Sequence, residues 1–286
     1  MSTPTFQVGV SSSQSTKMTT ILATAILLSQ TPSASALPAP TVPLEEARKV
    51  IRSFKAEEAQ QGVAVDDQHV YVIGNSVIGK YDRKSGIRVA RFEGGKDGAL
   101  AHMNGGVVVD GKLYCSHSNY PETPMHSSIE IFDAKTLTHI GSQSFGLDTG
   151  SLVWVDWYQG HWWVCFGHYN EKGGEKGKTN DFSVLVKYDK DWRRVGGYAF
   201  PKELVARWDG MTCSGGVFGR DGLIYATGHH APEVHVLRFP KAGPVLELVK
   251  IIKSPVEGQG VAIDRASGRF FQMQRKTREI VEFTWD

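Results

Sequence analysis

Apolar positions along this chain gather into short runs that return at long intervals. Val70-Tyr71-Val72-Ile73 comes back as Leu113-Tyr114-Cys115, as Trp163-Val164-Cys165-Phe166 and as Ile224-Tyr225-Ala226, with a degenerate copy at Phe270-Phe271. Each run leads to a polar residue: Asn75, His117, His168, His229 and Gln274. A β-rich run recurring about every 45 residues marks a repeat architecture, in which one supersecondary unit is used several times. Before most of these runs stands a shorter one opened by glycine, at Gly62, Gly106, Gly215 and Gly260, with Ser151 in the third unit. Asp110-Gly111, Gln159-Gly160, Asp221-Gly222 and Ser267-Gly268 separate the two runs as tight turns.

Two further strands complete each unit. The third alternates, as in Val77 to Asp82, Ile129 to Asp133 and Val184 to Asp189, with later counterparts at Val234 to Phe239 and Glu279 to Phe283. Period-two alternation is the mark of a half-buried strand. The fourth runs over Arg88 to Phe92, His139 to Phe145, Arg194 to Phe200 and Leu246 to Ile252. The fifth unit reaches Asp286 after three strands, and Lys49 to Phe54 has the pattern of the missing one. Pairing of that N-terminal strand with Glu279 to Phe283 would close a ring and leave only short edges. The predicted fold is therefore all-β, a five-bladed β-propeller closed by its N-terminal strand and its last blade. A two-sheet sandwich is the rival, because strand patterns alone do not fix closure. The long interval between Ser151 and Gly215 holds a Gly-Lys-Glu-rich excursion, Asn170 to Asp181, and a short helical stretch, Pro201 to Trp208. It is too short for a sixth blade.

The glycine-led inner strands and Val-Tyr-Val-like second strands resemble exported propellers of the quinoprotein-like and NHL/SMP-30-like superfamilies. The blade count is similar to that of plant-type glutaminyl cyclases. The resemblance spans residues 49–286 as a blade pattern and implies the fold. It brings no catalytic residue of a cyclase or lactonase with it.

The first 36 residues change the picture of where the chain resides. Lys17, the apolar stretch Ile21 to Leu28 and the small residues Ala34-Ser35-Ala36 read as a secretory signal. Residues 37–48, with Pro38, Pro40 and Pro43, read as an extended lead-in. The expected location is secreted or periplasmic, and the short apolar stretch predicts no stable membrane insertion. A formal charge of +2 over 286 residues gives no reason to expect nucleic acid as a partner. Three cysteines are too few for a disulfide scaffold. Cys115 and Cys165 occupy matching strand positions as buried thiols, with one disulfide left open by export. Nothing in the pattern sets an oligomeric state.

Candidate chemistry follows from register. In a propeller the inner strand runs along the channel and the second returns, so first-strand entries and second-strand exits share one face. Gln61, Asn104, Asp209, Cys213 and Gln259 lie at entries; Asn75, His117, His168, His229 and Gln274 lie at exits, with His102 and His230 close by. Together they predict a polar, histidine-containing mouth for a small-molecule ligand. Three readings of the histidines stand side by side. His117, His168 and His229 could hold a divalent transition metal such as zinc, with Asp209 or Glu257 orienting a ligand. They could instead tie adjacent blades or line a wet channel. They could also act directly in proton transfer. A metal site would make the protein a hydrolase or lactonase acting on a small ester-like substrate. A nucleophilic Cys213 with His229 or His230 as base, and Asp209 beside them, has the right residue types. Ser214 lacks the Gly-x-Ser-x-Gly of a nucleophile elbow. Glu93 to Asn104 has no phosphate-binding glycine pattern and reads as a blade connection. Trp157 and Tyr158, near the Gly160 turn, are candidates for ligand stacking on the opposite face.

Overall fold

Twenty-one short strands arise from these runs in a computed structural model that describes residues 41–46, 49–95, 98–147 and 149–284. The proposed signal, residues 1–36, lies outside the described residues. Two strands come first, β1 (Leu44–Glu46) and β2 (Lys49–Lys55). Blade one is β3 (Gly62–Val65), β4 (His69–Ile73), β5 (Val77–Asp82) and β6 (Arg88–Glu93). Blade two is β7 (His102–Val109), β8 (Lys112–Ser118), β9 (His126–Asp133) and β10 (His139–Leu147). Blade three is β11 (Ser151–Tyr158), β12 (His161–Gly167), β13 (Val184–Tyr188) and β14 (Arg194–Ala199), followed by helix α1 (Lys202–Arg207). Blade four is β15 (Gly215–Phe218), β16 (Ile224–Thr227), β17 (Glu233–Arg238) and β18 (Glu247–Lys253). The last blade supplies β19 (Val261–Asp264), β20 (Arg269–Gln274) and β21 (Glu279–Thr284).

The ring closes as the repeat predicts. Strand β2 completes blade five by pairing antiparallel with β21, Phe54 opposite Ile280 and Lys55 opposite Glu279. Each innermost strand touches the next around the circle, β19 against β3 included. That continuity excludes the sandwich. The lead-in does more than extend: β1 adds a parallel fifth strand to the outer edge of blade four, Leu44 opposite Ile251. Its exposed residues carried no alternation to announce it.

Five apolar cores lie between neighbouring blades, not within one centre. Val70 and Val72 pack toward blade five with Phe271, Met273 and Ile280. Tyr71 and Ile73 pack toward blade two with Met103, Leu113 and Phe132. Alternate side chains of one strand therefore serve two cores, which is why the second strands read as unbroken apolar runs. The turns follow their residues. Asp110-Gly111 and Gln159-Gly160 both take positive φ, at 48° and 73° in each pair, as a type I′ hairpin turn requires.

Glycine sets the width of the ring at one end. A Cβ on Gly62 would stand 2.2 Å from the Asn104 carbonyl oxygen, and one on Gly260 would stand 2.6 Å from the Gly62 Cα. Three inner strands meet backbone to backbone there. Toward the other end the axis holds a cavity of about 60 Å³ beside Val65, Val108, Val155 and Asp156. Asp156, 1% exposed, accepts from the Phe218 N–H at 2.8 Å and from Arg265.

Candidate functional site

Backbone hydrogen bonds bring entries and exits together. Gln61 N–H donates to the Ile73 carbonyl, Met103 N–H to Asn75, Ser214 N–H to Thr227 and Gln259 N–H to Gly228. Side chains tie the same levels. Gln61 Nε2 donates to Asn75 Oδ1 at 2.7 Å, and Gln259 Nε2 to the His229 carbonyl at 3.4 Å. Gln259 holds φ at +87° to make this turn, the left-handed region that side chains rarely adopt. Asn104 Nδ2 and Gln274 Oε1 are buried at this level without a hydrogen-bond partner among the described residues.

The histidines divide into two kinds. The first are committed to the protein. His117 Nε2 accepts from the Ala101 N–H at 3.2 Å, so the proton sits on Nδ1, which donates to Ser128 Oγ at 3.0 Å. Ser128 passes the chain on to Glu130 at 2.6 Å. His168 is buried, with Nδ1 3.5 Å from Glu175 Oε2 and a hydrogen bond to the Thr149 backbone. Glu175 is itself held by Lys178 and by the Met125 N–H. Burial pushes both imidazoles below their ordinary pKa.

The second kind faces the mouth. His102 and His229 are half-buried and each pushed down to about 4. Burial is the first cause for both. His117 and then Arg275 add to it at His102; His230, Arg275 and His102 add to it at His229. The positive charge of Arg275 acts on both rings. The rings of His229 and His230 lie 4.1 Å apart, and His230 is exposed. Tyr120 packs 5.0 Å from His102 and 4.8 Å from Tyr169, giving the mouth an aromatic wall.

Arg275 itself is half-buried one residue past the β20 exit. It makes no hydrogen bond or ion pair among the described residues. Burial, then Arg278, lower its pKa, and only Glu257 opposes them. Glu257 is engaged by Lys276 at 2.5 Å.

Of the three histidines offered as metal ligands, His117 and His168 are held in separate networks, and His229 lies against His230 at the mouth. Among the described residues no group of three or more His, Cys, Asp or Glu side chains is placed to share an ion. Cys213 is fully buried in the core between blades three and four, where Trp154 Nε1 donates to its sulfur at 3.2 Å and its thiol donates to the Gly215 carbonyl at 3.3 Å. Its thiol is spent inside the core. Cys115 and Cys165 are likewise buried and free, the latter hydrogen-bonded to Cys213. Asp209 is exposed at φ +49°. Trp157 packs 4.7 Å from Trp162, and Tyr158 stacks on Phe218 at 4.6 Å, so both rings already have partners.

Asp209 edges a pocket of about 190 Å³ lined also by Trp208, Gly228, His229, His230 and His235. Its floor is a buried ion pair: Arg207 donates to both oxygens of Glu233 at 2.7 and 2.5 Å, and His235 Nε2 lies 3.3 Å from the same carboxylate. Burial, the largest single influence, would raise Glu233, but the hydrogen bonds and charges of Arg207 and His235 together outweigh it and the carboxyl falls to about 2. A larger groove, about 610 Å³, opens at the opposite strand ends. Its arginines are paired, Arg52 and Arg269 with Glu282 and Arg83 with Asp264, while its Lys84 is exposed to solvent. The mouth's cation is half-buried and has no hydrogen-bond or ion-pair partner among the described residues, so the mouth is the candidate site. Sequence reasoning missed Arg275, Tyr120 and Trp208; the one usable signal was the register of Arg275, next to Gln274.

No family model and no curated protein sequence matches the chain. Solved structures do share its shape. The PQQ-bound aldose sugar dehydrogenase from Streptomyces coelicolor is similar at 11% identity and a TM-score of 0.50, over 83% of this chain and 81% of that one. A chain of the mitotic checkpoint complex is 9% identical over 94% of this chain and 99% of its own, at a TM-score of 0.44. The Cps50 (Swd1) β-propeller domain of Myceliophteria thermophila is 9% identical over 78% and 83%, at 0.42. At such identity the dehydrogenase likeness supports a propeller fold and nothing finer.

Proposed function

We propose that this propeller is an exported binding protein whose mouth captures a small organic anion, with Arg275 as the anchor. The carrying observation is the half-buried guanidinium with no hydrogen-bond or ion-pair partner among the described residues. A cation withdrawn from water without compensation is costly, and a carboxylate would supply the charge and the bidentate hydrogen bonds it needs. His102 and His229, neutral at pH 7, can donate or accept beside it without adding charge. Export rests on the leader of residues 1–36 and would place the ligand outside the cytoplasm.

Capture, not catalysis, is the better reading. His117 has both ring nitrogens engaged, His168 is held between Thr149 and Glu175, and Cys213 is turned into a core. Metal-assisted hydrolysis would require those nitrogens to be free. The test is calorimetric titration of the purified protein with a panel of small carboxylates, repeated on Arg275→Gln. Loss of one charged hydrogen-bonded partner should weaken binding by about 10- to 100-fold. A panel in which nothing binds, or an Arg275→Gln protein that binds equally well, would end the proposal.

A further inference from the structure

Between β12 and β13 the chain makes a long excursion, residues 170–181, which crosses from blade three to blade two. Its base is fixed. Asn170 N–H donates to the Gly210 carbonyl at 2.9 Å, and Asn170 Oδ1 accepts from the Asn180 N–H at 2.8 Å. The buried Asn180 side chain donates to the Met211 carbonyl at 2.9 Å. The tip rests on blade two. Gly173 lies so close to Tyr120 that a Cβ there would stand 2.4 Å from the ring, and its φ of +78° is one that glycine adopts at little cost. Glu175, whose side chain is 9% exposed, divides its two oxygens between the blades. Oε1 accepts from the Met125 N–H of blade two at 3.0 Å. Oε2 accepts from Lys178 at 2.9 Å and lies 3.5 Å from His168 Nδ1 of blade three.

Tyr120 connects this segment to the mouth. Besides Gly173, its ring meets His102 at 5.0 Å and Tyr169 at 4.8 Å. The segment turns at Gly173 and Gly177, with φ of +78° and +80°, on either side of Glu175. A loop fixed at its base, turned at glycines and fastened at its tip through a carboxylate can swing without disturbing a blade. We infer that residues 170–181 are a strap over the mouth, latched to blade two by Glu175, and that opening of this latch releases Tyr120 and admits solutes to His102. Access controlled in this way is independent of which ligand Arg275 holds.

Two readouts follow the latch in the absence of any ligand. Trypsin cuts a segment that has come away from its neighbours, and at low protease its rate tracks the open fraction. Removing a charge-assisted hydrogen bond should raise that fraction about 10- to 100-fold. Glu175→Ala should therefore be nicked at the exposed Lys172 and Lys176 faster than the wild type by that factor. Glu175→Gln keeps an oxygen for the Met125 N–H and should restore most of the protection. Diethyl pyrocarbonate labelling, read by mass spectrometry, reports on the mouth itself. His102 should be labelled about tenfold faster or more in Glu175→Ala, while His161, at the opposite end of β12, should react at the wild-type rate. Nicking of Glu175→Ala at the wild-type rate, or of Glu175→Gln as fast as the alanine variant, overturns the latch. Faster nicking with unchanged His102 labelling overturns its place over the mouth. A His161 rate that rises in step with that of His102 would show loosening of the blades instead and overturn both.

Discussion

A histidine is made inert or available by what its two nitrogens already hold. His117 and His229 both stand at the ends of second-strand runs, one residue apart in register, but the first has both nitrogens engaged and the second opens onto a pocket. The chain order of residues records the position and not the partners, since Ala101, Ser128 and Arg275 come from three other segments. The same limit hid Arg275, which in Arg275-Lys276-Thr277-Arg278 reads as a solvated basic turn. The buried imidazoles have a consequence for stability. His102 and His229 titrate at about 4 when folded, against an unfolded value near 6.5. Between those values the unfolded chain binds more protons than the native one, so stability must fall as pH drops through that window. Calorimetric melting temperatures should be level above about pH 6.5 and decline toward pH 4. His229→Gln should flatten part of that decline. A variant with the wild-type slope would show that His229 does not contribute.

At the scale of the strand, two-sided burial decides what the sequence can reveal. Second strands feed two cores each, so their apolar runs were legible and their boundaries nearly right. Outer strands have one solvated side and were legible through alternation. Strand β1 has three exposed residues and one parallel neighbour, and its pairing was invisible. The inner strands are set by glycine, whose role is clear only once the ring is closed. Gly62→Ala forces a methyl group onto the Asn104 carbonyl. Overpacking at a site that cannot yield costs about 3 kcal/mol, and urea unfolding should show a loss of that order. Gly111→Ala would act through strain instead, because nothing crowds its Cβ while its φ is +73°.

For the molecule as a whole, closure is a single long-range pairing with large leverage. Glu282 is 1% exposed and is held by Arg52 from β2 and Arg269 from β20. A chain lacking residues through Lys55 leaves β21 as a bare edge and strips Glu282 of one cation, so it should aggregate on gel filtration and lose its cooperative melt. A chain lacking residues only through Glu46 removes β1 and two surface ion pairs, Lys250–Glu45 and Lys253–Glu46. Such pairs contribute about 1 kcal/mol or less each, and that chain should stay folded with a modestly lower melting temperature. Equal behaviour of the two truncations would mean that closure by β2 is not what holds the ring.

The repeat by itself determined the blade count, the strand register and the face on which polar residues gather. These follow from periodicity, which is a property of neighbours in sequence. Which polar residues are spent on one another was decided only by the tertiary structure. Hydrogen bonding and burial join segments that are far apart along the chain, and those two effects left Arg275 and the Trp208 N–H without a partner among the described residues while closing off His117, His168 and Cys213.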